Sequence, residues 1–199
     1  MLRLGARGWR DLRLVGLGAV AGVLLVVAIV GMRAPAGPGP SAPGEPEPGW
    51  REIAWPLPVD PWWPSKAYTC AGKTCGAEVT LYVRAKIGFC NCKTGVADDE
   101  ELERIGDFAV LAGRHEPIAA GKPIEIAWMK GRSRPYDLDA KHAGARAGRA
   151  LLIGYNDRCD AIVATALVGN AEPLAVEAAV LSFLRSPSIM RWAELTLGL

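Results

Sequence analysis

The chain has 199 residues with 23 basic and 21 acidic side chains, a formal net charge of +2, and half of its residues are hydrophobic. That near-neutral balance excludes a general electrostatic pull toward DNA or RNA, whose binding domains are usually strongly basic, so no nucleic-acid partner is expected. The charge is unevenly placed: residues 1–33 hold five Arg and one Asp, a net of +4, whereas residues 34–199 hold 18 basic and 20 acidic side chains, a net of −2.

Residues 1–13 form a basic N-terminus, with Arg3, Arg7, Arg10 and Arg13 against Asp11. Leu14 to Met32 follows as 19 uncharged, almost wholly apolar positions. As a helix this run spans about 28 Å, close to the roughly 30 Å hydrocarbon core of a bilayer, where a chain must satisfy its own backbone hydrogen bonds by coiling. It predicts a single-pass transmembrane helix, with the membrane as the first partner. Lys and Arg are retained on the cytoplasmic side. The expected location is therefore the inner (cytoplasmic) membrane, with the N-terminus inside and the C-terminal domain in the periplasm. A cleaved secretory signal has a shorter apolar region, and the small-residue site Ala34-Pro35-Ala36 is spoiled by proline, so the segment reads as an uncleaved signal-anchor.

Residues 33–49 carry six prolines and four glycines and cannot build a core; they read as a semi-extended linker. Residues 50–199 suffice for one globular exported domain. Its opening stretch sets Trp50, Trp55, Trp62 and Trp63 among Pro56, Pro58, Pro61 and Pro64, too proline-dense for a regular element. It reads as an aromatic strap across the domain surface. Trp55, Trp62 and Trp63 are its candidate partner-binding residues, because indole rings favour interface hot spots.

Strand signals follow. Lys66 to Thr69 is a weak one; Glu78 to Arg84 is strong, with Val79, Leu81 and Val83 on one face and Thr80, Tyr82 and Arg84 on the other, predicting one buried and one wet face. Asp98 predicts an N-cap, with Glu101 reaching back in a capping box, for a short acidic helix over Asp99 to Ile105. Its carboxylates lack the ligand pattern of a calcium loop and suit a helix start. Phe108 to Ala112 and Ile124 to Met129 read as further strands. Lys130, Arg132, Arg134, Lys141, Arg146 and Arg149 with His142 surround a glycine-containing segment read as a solvated loop, an anion-binding surface being the alternative. Both His115 and His142 fall in expected loops.

Arg149 to Tyr155 predicts a strand, and Ala161 to Val168, nearly all apolar, predicts one covered on both sides. Val176, Val180, Phe183 and Leu184 recur at helical spacing. Ser186-Pro187 ends that helix and starts a second, with Ile189, Trp192, Ala193 and Leu197 as its apolar stripe and Gly198 as its stop. Strands first and helices last predict an α+β fold, a mostly antiparallel sheet packed by C-terminal helices.

The five cysteines are Cys70, Cys75, Cys90, Cys92 and Cys159. Export to an oxidising compartment makes disulfides the expectation, with 15 ways to form two bridges. An extended Cys90-Asn91-Cys92 points both sulfurs to one face, so bonds from this pair to Cys70 or Cys75 are expected, leaving Cys159 buried or unpaired. Alternatively Cys70, Cys75, Cys90 and Cys92 form a thiolate set for copper or zinc, or a redox-active dithiol.

No G-x-S-x-G, H-E-x-x-H, G-x-x-x-x-G-K-[ST] or G-x-G-x-x-G motif occurs, and no catalytic residue or cofactor is assigned. The expectation is a membrane-anchored envelope protein, accessory or scaffold, that binds another envelope protein. The alternative is a membrane-tethered thiol protein handling copper or exchanging disulfides. A third reading has the strap and Trp128 lining a pocket for an apolar or aromatic ligand.

Overall fold

The computed structural model describes residues 47–57, 63–112, 114–139 and 148–199, all within one compact unit, Ala42–Leu199. The apolar run Leu14 to Met32, most of the linker, and Trp62, Lys141, His142 and Arg146 lie outside the described residues. Among the described residues no helix is long and apolar enough to cross a membrane.

Eight strands form one antiparallel sheet: β1 (Trp50–Ile53), β2 (Ser65–Cys70), β3 (Val79–Lys86), β4 (Arg114–Pro117), β5 (Lys122–Ile126), β6 (Met129–Asp139), β7 (Gly148–Asp157) and β8 (Asp160–Leu167). Their order is β1-β2-β3-β8-β7-β6-β4, with β5 also paired to β6. The helices are α1 (Gly72–Cys75), α2 (Asp99–Ile105), α3 (Phe108–Leu111), α4 (Pro173–Leu184) and α5 (Pro187–Leu197). The fold is α+β, as expected.

The sheet is covered on both faces. Side chains alternate along a strand, and in β7 Leu151, Ile153 and Tyr155 enter one core cluster while Ala150 and Leu152 enter another. In β8 Ile162, Ala164 and Ala166 join the first cluster, and Ala161 and Val163 the second. The first cluster packs under α4 and α5 through Val176, Val180, Phe183, Leu184, Ile189 and Ala193, the stripes read from the sequence. Trp50 stacks on Phe183 at 4.3 Å between ring centroids, with Tyr68 edge-on at 4.8 Å. The second cluster packs under Leu102 and Ile105 of α2 and Phe108 of α3.

Several expectations are corrected. Trp50–Ile53 is a strand, because the prolines begin only at Pro56, after the edge pairing with β2 is made. Phe108–Leu111 is a helical turn, not a strand: only Phe108 of the four is buried, and the Ala112 N–H donates to Phe108 O at 2.9 Å. Ile124 to Met129 is a hairpin whose turn is Ala127-Trp128, with Ala127 in the left-handed region at φ 53°. The described part of the basic segment is strand rather than loop, with Lys130, Arg132 and Arg134 on β6 and Arg149 on β7, and His115 lies on β4.

β6 tolerates that many charges because its rows divide. Gly131 and Ser133 turn to the α4 side, where Ser133 Oγ donates to Glu177 at 2.5 Å, and Arg132 and Arg134 turn to the α2 side. A Cβ on Gly131 would lie 2.0 Å from Gly154 O, so no larger residue fits there.

Leu152 is fully buried in the second cluster, whereas Leu195 on α5 is 72% exposed. Leu152→Ala should cost about 2–5 kcal/mol in denaturant unfolding and Leu195→Ala under about 0.5 kcal/mol. Equal effects would contradict a sheet buried on its second face.

Candidate functional site

The second face of β3 carries Thr80, Tyr82, Arg84 and Lys86, and only part of it is wet: Thr80 and Tyr82 are half-buried, whereas Arg84 and Lys86 are buried. Arg84 and Lys86 are 5% and 3% exposed and share one carboxylate, Asp107 at the entrance to α3: Lys86 Nζ stands 2.9 Å and Arg84 Nη1 3.4 Å from Asp107 Oδ1. Arg84 Nε also donates to Ser65 Oγ at 3.2 Å. Burial draws the Lys86 ammonium below its ordinary value, opposed chiefly by Asp107.

The strap is what dries this row. The Arg84 guanidinium lies 5.0 Å from the Trp55 ring centre, and Trp55 meets Tyr82 edge-on at 5.5 Å. Lys86 Nζ lies 4.9 Å from the Trp63 ring and 5.3 Å from Phe89, which Trp63 meets at 5.1 Å. Cation–π contact of this kind contributes roughly 0.5–2 kcal/mol each, more when desolvated. Trp55 and Trp63 therefore spend ring surface inside the domain, as a strap would. Trp128 stands apart, 49% exposed at the β5–β6 tip. One cavity, about 800 Å3, is lined by Pro56, Leu57, Tyr82, Leu138 and Leu167 among others, and by none of these three tryptophans.

Phe89 leads from the cation row into the cysteine loop. Cys70 bridges Cys75 across α1, and Cys92 bridges Cys159; Cys90 is unbridged and buried. The expected bonds from Cys90 or Cys92 to Cys70 or Cys75 are thus corrected. Cys70 pairs in register with Val79 at one end of β3, while Cys90 N–H reaches Cys159 O near Lys86 and Ala161 at the other. Seven residues of strand, about 23 Å, separate the two ends. For the same reason Cys70, Cys75, Cys90 and Cys92 do not assemble as a four-thiolate set for copper or zinc. Among the described residues no group of three or more His, Cys, Asp or Glu is placed to hold a metal.

The loop is clamped to the β7–β8 hairpin. Cys90 N–H donates to Cys159 O at 3.1 Å, the Cys90 thiol to Arg158 O at 3.3 Å, Gly88 N–H to Asp160 Oδ1 at 2.6 Å and Val96 N–H to Asn156 Oδ1 at 2.9 Å. Arg158, in the two-residue turn that carries Cys159, is held at φ 51°, a conformation costly for a residue with a side chain. From α2, Arg104 donates to Phe89 O and pairs with Glu101, which also accepts from Asn91 N–H at 2.9 Å.

The acidic helix and the basic strand answer one another. Asp98 caps α2 by accepting from Glu101 N–H at 2.8 Å, but Glu101 reaches Asn91 and Arg104 rather than completing a capping box. Asp99 accepts from Arg132 at 2.8 Å and faces Arg134 at 3.6 Å. Burial pulls the Asp99 carboxyl up, but the Gly121 N–H and these arginines outweigh it and hold it below its usual range. Arg149 pairs with Asp137 and Glu172, and His115 stacks on Phe108. Asp99 and Glu103 of α2 and Arg132 and Arg134 of β6 are thus spent on one another.

Burial, then the Glu101 and Asp160 carboxylates, push the Cys90 thiol from 9.0 up to about 11, with Arg104 opposing. A thiol protonated in the fold but ionising near pH 9 when unfolded contributes stability that is whole below pH 9 and lost as pH rises through about 11. Stability measured between pH 8 and pH 11 should therefore fall more steeply for the parent chain than for Cys90→Ala; parallel declines would contradict this. No family model matches the chain, and neither the curated proteins nor the solved structures contain a match.

Proposed function

We propose that the chain is a membrane-anchored envelope protein that works by binding another envelope protein, as an accessory or scaffold. The Leu14 to Met32 run and its flanking arginines support a periplasmic setting for the folded domain, and two bridged cysteine pairs are what an oxidising compartment allows. Among the described residues, Arg84 and Lys86 with Asp107, Arg132 and Arg134 with Asp99, and the rings of Trp55 and Trp63 are engaged with one another inside the domain.

The observation that carries the binding reading is Trp128. It projects, half exposed, from a two-residue turn whose base is fixed: Arg185 Nε and Nη2 both donate to Glu125 O, at 3.1 and 2.7 Å. A large apolar ring held out on a rigid stem is the type of residue that anchors an interface with little entropy to lose.

A photo-crosslinking side chain placed at position 128 of the full-length protein in its native membrane should give a discrete protein adduct. Trp128→Ser should weaken co-purification of that protein at least tenfold while leaving the melting temperature unchanged. Crosslinks to lipid alone, or none, would contradict a protein partner.

A further inference from the structure

Cys90, Cys92 and Cys159 share one loop–hairpin junction. The burial of the three differs: Cys90 is 6% exposed, Cys159 partly exposed and Cys92 exposed. Cys90 already holds Cys159 through its backbone N–H at 3.1 Å, and its sulfur lies 3.3 Å from the carbonyl of the preceding residue, Arg158. Its thiol thus faces the same two-residue turn whose sulfur is bonded to Cys92, from the next position but one in the chain.

We infer that these three cysteines form an internal thiol–disulfide exchange unit, in which Cys90 and Cys92 alternate as the partner of Cys159. The step balances within the protein. Cys90 gives its proton to solvent, and its thiolate attacks Cys159 Sγ. The Cys90–Cys159 bond forms as the Cys92–Cys159 bond breaks, and Cys92 leaves as a thiolate that takes up a proton. No oxidant or reductant is consumed. The one thiol of the junction moves from a buried position to an exposed one, where Cys92 can react with external disulfides or electrophiles.

Two features of the junction bear on the exchange. The left-handed Arg158 stores local strain in the turn that carries the shared sulfur. The groups facing Cys90 are Glu101 and Arg104 from α2 and Asp160 from β8; burial and the two carboxylates keep the thiol protonated, against a backbone N–H and Arg104, which favour the thiolate. Exchange is therefore slow at neutral pH and follows the thiolate fraction, rising about 100-fold from pH 7 to pH 9. This inference is independent of any role of Trp128.

The test uses the full-length protein purified without reductant, incubated at pH 7 and pH 9, acid-quenched, alkylated and mapped by peptide fragmentation after acid proteolysis. Label appearing on Cys92 together with a Cys90–Cys159 peptide, and sooner at pH 9, is the expected result. Label confined to Cys90 at both pH values would overturn it. Cys92→Ser supplies the second arm. It should form a Cys90–Cys159 bridge and show no alkylatable thiol, with Cys70–Cys75 intact as the sign of a folded chain. Two alkylatable thiols or an intermolecular bridge in that variant would also overturn the inference.

Discussion

Asp107 is the point on which the second face of the sheet depends. β3 turns two cations, Arg84 and Lys86, into a region that water scarcely reaches, and a single carboxylate answers both. Burying an unpaired ion costs several kcal/mol, so this row is tenable only while the pairing holds and the strap stays down. The pairing also fixes geometry. Asp107 sits between α2 and α3, so the ion cluster ties both short helices to β3, and Phe89 extends the same contact to the cysteine loop.

The two disulfides divide the work unevenly. Closing a loop of six residues with Cys70–Cys75 restrains the unfolded chain by only about 2 kcal/mol. Closing the long loop between Cys92 and Cys159, 67 apart in sequence, contributes about 4 kcal/mol in the chain-entropy view. The longer bridge joins the loop after β3 to the β7–β8 turn, so it also secures the end of the sheet where the buried cations lie. The charge clusters that look like ligand sites in the sequence are spent in the same manner: the carboxylates of α2 and the arginines of β6 neutralise one another across the second face.

Much of the fold was legible because periodicity and caps are local. The stripes of α4 and α5, the Asp98 cap, and the two-sided burial of β8 follow from spacing alone. What was hidden needed partners distant in sequence. The outer row of β3 reads as solvent-facing until Asp107 and the strap are placed over it. The basic residues of β6 read as a loop because Gly131, Ser133 and Pro135, small residues facing α4, break the apolar alternation. Phe108–Leu111 is too short for period to decide between strand and helix. Cysteine pairing is hidden because Cys159 is remote in sequence and only the β7–β8 hairpin brings it to Cys92. The site was legible in its residue types, cysteines and tryptophans, but not in its arrangement.

A double-mutant cycle on Asp107 and Lys86, read by denaturant unfolding, tests the central claim most directly. Asp107→Asn alone should cost about 3–5 kcal/mol, since it leaves two buried cations without their counter-ion. Adding Lys86→Met should restore part of that loss, giving a coupling of about 1–3 kcal/mol. If the two changes add to within about 0.5 kcal/mol, the buried ion cluster does not hold the second face together and the account fails.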